Sequence, residues 1–231
     1  MDPVIDIVER SNQRGGRMFS VIDLLEAGTL NTRQTSWLLR RIEDGSSWMV
    51  GAKPGGAGKT MVMSALLAML PAGETVRLTN PGDWERSRRG DCLVAYEIGS
   101  GPYDAYIWGQ DVRRFAALGA AGCRLVTNLH ADTLEEARDQ IVRQNGVTPE
   151  QFAAFGMFLP ISFSGAICPV GRVVRTVHYH AGGAWREFNE AEAPSDREKA
   201  IASFIDDCRR RELRVVADVR RAWLAWRKAN C

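Results

Sequence analysis

The 231-residue chain has no Cys-x-x-Cys pair and no cysteine–histidine pattern at zinc spacing. Its five cysteines, Cys92, Cys123, Cys168, Cys208 and Cys231, are odd in number and scattered. A disulfide framework and a structural zinc site are therefore not expected, and a reducing compartment suits the chain. No apolar run approaches the roughly 20 residues that a spanning helix needs. The opening "MDPVIDIVER" is too acidic and too short in apolar residues for a secretory signal. Neither absence excludes docking on a membrane-bound complex. A net charge of +2 is too small to imply a nucleic-acid partner by itself. No internal repeat points to a solenoid. What remains is an ordinary globular composition, 45% hydrophobic, enough for one α/β domain with appendages.

Residues 1–45 read as a helical lead-in. Ser20 and Asp23 form a capping-box pattern before "VIDLLEAG", and Asn31 can cap "TRQTSWLLRRIEDG". From residue 46 to 190, apolar strand-like runs alternate with helical ones. "SSWMVGA", "ETVRLTN", "CLVAYEI" and "CRLVTNLH" are the strands. "MVMSALLAML", "DVRRFAALGAAG" and "DTLEEARDQIVRQNG" are the helices. This alternation predicts a mostly parallel sheet with right-handed crossovers. Thr148-Pro149-Glu150 opens a short helix, and "RVVRTVHYHAGGAWREF" predicts a hairpin around Gly182-Gly183. Residues 191–231 form a basic helical tail. Four acids interrupt its charge, and its tryptophans fall in an apolar stripe. That pattern favours a helix packed on its own core or on a neighbouring subunit over one binding nucleic acid or lipid.

The stretch with the most chemistry is "GAKPGGAGKT", Gly51 to Thr60. It lies between a short apolar strand and an uninterrupted helix, the context of a phosphate-binding loop. Glycines let backbone N–H groups turn toward phosphate oxygens, and the helix start adds its positive dipole end. Gly55, Gly56, Ala57, Gly58, Lys59, Thr60 and Met61 are the expected ATP-binding residues. Lys59 would reach the β- and γ-phosphates, and Thr60 would hold Mg²⁺. The usual spacing places glycine where Lys53 stands. Turnover also needs an acid near Mg²⁺ and a group that senses the γ-phosphate. Glu97 ends "CLVAYE" and His130 ends "CRLVTNLH". Residues at the carboxyl ends of parallel strands reach the crevice beside the P-loop. Glu97 is thus the second candidate Mg²⁺ ligand, and Glu97 and His130 are catalytic candidates.

Taken in order, "GAKPGGAGKT", "LTNPGDWE", "RRGDCLVAYEIGSG" and "AALGAAGCRLVTNLHAD" resemble the four boxes of the type II and type IV secretion ATPase superfamily, which includes pilus motors. The resemblance runs from about residue 46 to residue 144. It implies a RecA-like P-loop NTPase core, ATP and Mg²⁺ as ligands, and a homo-oligomer, by family habit a hexamer. It also implies a cytoplasmic protein peripheral to membrane-associated secretion or pilus machinery. In the family, the second box carries an acidic pair before proline. Here Thr79-Asn80 precede Pro81, and Asp83 is the next acid and a third catalytic candidate. Tyr96 replaces the family's glycine before Glu97, and Gly99 replaces its arginine after it. The family's large N-terminal domain has only the 45-residue lead-in in its place. Slow hydrolysis is therefore expected. The alternative is a degenerate nucleotide-binding assembly or regulatory protein with little hydrolysis. A small kinase or DNA-associated ATPase would need an acceptor lid or a base-stacking face, and neither has a signal in the sequence. Arg88 and Arg89 precede Glu97 in the segment where family members carry arginine, so they are the candidates for a cation donated to a neighbour's site.

Overall fold

The computed structural model describes residues 2–12, 15–79, 84–164 and 171–230. Helix α1 (Pro3–Arg10) starts where Asp2 accepts from the Val4 amide and Pro3 fills the first turn. Helices α2 (Val21–Glu26) and α3 (Thr32–Glu43) both open with capping boxes, Ser20 with Asp23 and Asn31 with Gln34. Strand β1 (Trp48–Gly51) then leads through the glycine-rich loop into α4 (Lys59–Leu67). There follow β2 (Val76–Leu78), β3 (Cys92–Ile98), β4 (Tyr106–Ile107), α5 (Gln110–Ala120) and β5 (Arg124–Leu129). Helix α6 (Leu134–Arg138) runs on into a π-helical stretch, Asp139–Gln144, and α7 (Pro149–Phe152) is short. The chain continues through β6 (Met157–Ser164), β7 (Gly171–Val174), β8 (His178–Ala181) and β9 (Ala184–Glu187). Helices α8 (Asp196–Arg210) and α9 (Val216–Asn230) complete it.

The strands pair in the order β2-β3-β5-β1-β6-β8-β9, with β4 on β3 and β7 on β6. From β2 to β6 the pairing is parallel, and β7, β8 and β9 are antiparallel. This is the α/β arrangement with a mostly parallel sheet expected from the alternation of elements, and it is consistent with the RecA-like core that the resemblance implies. Strand β1 lies between β5 and β6, so the glycine-rich loop leaves from the middle of the sheet. The carboxyl ends of β3 and β5 open on the same side.

Alternation along each strand explains why both faces are covered. Trp48, Val50, Val94 and Val126 pack with the lead-in, α4 and the tail. Met49, Leu93, Leu125 and Phe158 pack with α5, α7 and Ile141 of the π-helical stretch. The lead-in and tail thus share one apolar core with the P-loop helix. Polar anchors reinforce it. Trp223 Nε1 donates to Met69 O at 2.7 Å, and Arg220 donates to Ala68 O and Leu70 O at 2.9 and 3.0 Å. Glu43, 5% exposed at its side chain, accepts from Arg197 (2.5 Å) and Arg227 (2.7 Å), which ties α3 to both tail helices. On the outer face Arg210 and Arg211 pair with Asp207, and Arg221 pairs with Asp218.

One strand lies where no element was expected, and two local expectations change. "MFLPISFS" forms a strand, β6, although Pro160 argues against one. Its place beside Gly51 in the sheet outweighs the lost donor. The first half of the expected hairpin splits into β7, which pairs with β6, and β8, which pairs with β9. The tail breaks into two helices at Glu212, whose φ is +54°. Among the described residues, no helix is long and apolar enough to cross a membrane.

Candidate functional site

Gly51 is glycine for lack of room. A Cβ there would lie 2.3 Å from Ala131 O and 2.4 Å from the Phe158 ring. Gly58 sits at the N-cap of α4 with φ +93°, a conformation that favours glycine. Among the described residues no side chain caps this helix, so its first-turn amides keep their capacity for an anion. Lys59 is 8% exposed. Its ammonium donates to Ala52 O at 3.1 Å and lies 3.2 Å from Glu97 Oε1.

Glu97, 6% exposed at the end of β3, also faces His130 Nε2 at 2.7 Å. These are ion-pair approaches, and Glu97 Oε1 has no aligned hydrogen bond among the described residues. His130 Nδ1 lies 3.2 Å from Lys53 O. A carbonyl only accepts, so a hydrogen bond there is donated by Nδ1, and Nε2 is the ring atom that faces Glu97. The structure thus brings Lys59, Glu97 and His130 together. Asp83 lies outside the described residues, as do Asn80 and Pro81. The Thr79 hydroxyl is buried and donates to Val94 O.

Two departures from the family pattern find local explanations. The Lys53 amide donates to Asp132 Oδ1 at 2.8 Å, and its ammonium donates to Glu136 at 2.5 Å. These bonds fasten the P-loop to the turn that follows His130. The Glu136 hydrogen bond raises the Lys53 pKa, and the same bond lowers that of Glu136. Tyr96 points to the lead-in face, where its hydroxyl donates to Ile7 O at 3.0 Å and pins α1. Gly99 has none: a Cβ there would stand 3.4 Å from Glu97 Cγ and 3.7 Å from the Tyr106 ring, ordinary contacts that a side chain tolerates.

The loop opens on a cavity of about 630 Å³, within the roughly 300–1,000 Å³ range of small-ligand sites. Gly55, Gly56, Ala57, Gly58, Lys59, Thr60, Met61, Glu97 and His130 all border it. So does Arg172, which sequence reasoning missed. Its guanidinium donates to Gly56 O at 3.0 Å, and its Cδ would lie 2.9 Å from a Cβ on Gly58. It lies on β7, far along the chain from the P-loop, so no local pattern marks it. A second, more polar cavity of about 550 Å³ lies beyond His130 and Tyr106 and includes Trp108 and Gln140.

Arg88 and Arg89 are exposed and precede β3, at the amino end of the sheet, so they cannot reach the P-loop of their own chain. Asp91, beside them, accepts from Arg77 and the Arg88 amide and serves the turn. Cys92, Cys123 and Cys208 are buried free thiols, and burial pushes each thiol pKa up, that of Cys208 to about 11. Thiol nucleophilicity is therefore suppressed at these three positions.

No protein-family model matches the chain, and no curated protein matches it. Solved structures with a similar fold include the VirB11 ATPase of the Brucella suis type IV secretion system, in complex with sulphate. The two chains are 17% identical, with a TM-score of 0.45. The match covers 78% of this chain, which spans 56% of the length of that one.

Proposed function

We propose that this chain is an ATP-binding P-loop NTPase of the secretion and pilus motor type, with slow hydrolysis coupled to assembly or transport. The observation that carries this reading is the buried Lys59 at an uncapped helix start, facing a buried Glu97 that also meets the exposed His130. Triphosphate oxygens entering the cradle would take Lys59 over from Ala52 O and Glu97. Freed of that pairing, Glu97 can orient water, and His130, 2.7 Å from Glu97 and at the border of the cavity, can respond to the γ-phosphate. Arg172 supplies a second cation over the loop. Mg²⁺ would neutralise developing charge, held by Thr60 and Glu97. Among the described residues, no cluster of three His, Cys, Asp or Glu could hold a metal alone. That fits Mg²⁺, which commonly takes one or two carboxylates and completes its shell with phosphate and water.

The Thr79-Asn80 pair supports a second reading, a nucleotide-dependent binding protein with little turnover. The Thr79 hydroxyl is committed to Val94 O, so position 79 offers no base. In either reading the chain forms a homo-oligomer, by resemblance a hexamer, peripheral to a secretion or pilus complex in the cytoplasm. Arg88 and Arg89 would then serve the site of a neighbouring copy.

Steady-state phosphate release at several protein concentrations, with and without Mg²⁺, tests this. Turnover below about 1 s⁻¹ is expected, under the range common for phosphoryl-transfer enzymes. The rate per chain should rise with concentration if a neighbour completes the site. Glu97→Gln should lower it about a hundredfold without altering the melting temperature appreciably. A wild type that releases no phosphate above background selects the binding-protein reading. Unchanged turnover in Glu97→Gln removes Glu97 from the chemistry.

A further inference from the structure

The cavity over the P-loop does not end at the phosphate cradle. It continues past Met61 on α4 to a wall made by the lead-in, where Asn12, Met18, Phe19, Leu24, Ala27 and Thr29 border it. Three contacts fix that wall. Ser11 Oγ lies 2.8 Å from Ser64 Oγ and joins the end of α1 to α4. The Tyr96 hydroxyl holds Ile7 O. Arg17 forks onto Asp23 at 2.9 and 2.6 Å and stands 5.7 Å from the centre of the Phe19 ring. Phe19 is partly exposed and is backed on a cation, the situation of an aromatic platform.

We infer that Asn12, Met18, Phe19, Leu24 and Ala27 form the base subsite of the nucleotide pocket and select adenine. This rests on the reading of residues 51–60 as a triphosphate site. Met18, Leu24 and Ala27 supply apolar walls and Phe19 a stacking face. Asn12 supplies the polar discrimination. Its amide nitrogen donates one hydrogen to Gly16 O at 2.7 Å, which holds the amide, and the residue borders the cavity; on this inference its carbonyl oxygen is the acceptor that meets the base. Adenine presents an amino donor at C6 where guanine presents a carbonyl acceptor. An acceptor at Asn12 therefore pairs with adenine and repels guanine. On this account the lead-in is part of the binding site.

Competition titrations with MgATP, MgGTP and inorganic tripolyphosphate, on wild type, Phe19→Ala and Asn12→Ala, test the inference. The wild type should prefer ATP to GTP by about tenfold or more. Phe19→Ala should weaken ATP about tenfold, in line with the loss of one base-stacking contact, and leave tripolyphosphate unchanged. Asn12→Ala should bring ATP and GTP to similar affinity. If the wild type binds tripolyphosphate, but does not distinguish ATP from GTP and is insensitive to Phe19→Ala, the base subsite is refuted and the triphosphate site stands. If neither ATP nor tripolyphosphate binds, the triphosphate reading falls and the base subsite falls with it. If Phe19→Ala also loses tripolyphosphate, the Asn12→Ala ratio decides, and an unchanged preference overturns the proposal.

Discussion

Two glutamates with buried side chains each stand between two basic side chains, and they are used differently. Glu43, on α3, is held by Arg197 and Arg227 in aligned hydrogen bonds. Glu97, at the end of β3, faces Lys59 at 3.2 Å and His130 at 2.7 Å with Oε1 in no aligned bond. The first arrangement is finished. It satisfies the carboxylate and fixes the tail against the lead-in. The second is unfinished. Lys59 can turn to another anion with little hydrogen bonding lost at Glu97. Satisfied charge marks a structural clamp, and unsatisfied charge at the carboxyl end of a parallel sheet marks a place where a ligand completes the site.

The largest effect on stability should come from breaking the finished pair. Glu43→Ala leaves Arg197 and Arg227 without their carboxylate and should cost about 3 kcal/mol in a urea titration. Burial pushes the Glu43 pKa up, but the hydrogen bonds from Arg197 and Arg227 outweigh that and hold it below the ordinary carboxylate value of 4.5. A depressed folded pKa gives stability that is present above pH 4.5 and lost as pH falls through the folded value. Thermal melts from pH 7 downward should show that acid loss in wild type and a shallower one in Glu43→Ala. Parallel pH curves would remove Glu43 from the acid transition. A smaller effect is expected at the anchor between α1 and β3. Tyr96→Phe deletes the bond to Ile7 O and should cost about 1 kcal/mol. A loss near zero would show that apolar packing alone seats the lead-in.

The Glu97 side of this contrast was legible in the sequence, where the signals are local, and the Glu43 clamp was not. Ser20, Asn31 and Thr148 were readable as caps because a cap acts within four residues. Glu97 and His130 were readable because apolar parallel strands deliver their last residues to one crevice. Strand β6 was hidden by Pro160, whose missing donor is tolerated in the company of β1. Arg172 and Phe19 were not legible. Each reaches the P-loop cavity from a distant part of the chain, and nothing beside either in sequence signals the approach. Tyr96 shows a third case. It departs from the family pattern, and the reason is a contact with α1 that only the packed fold creates.

The central claim is that the unfinished charges around Lys59 await a triphosphate. Calorimetric titration of MgATP into wild type and Lys59→Ala tests it most directly. The account predicts saturable one-site binding to wild type and an affinity at least about tenfold weaker in Lys59→Ala, the loss of a charge-assisted bond to phosphate. Equal affinities in the two proteins, or no binding by a folded wild type, would contradict it.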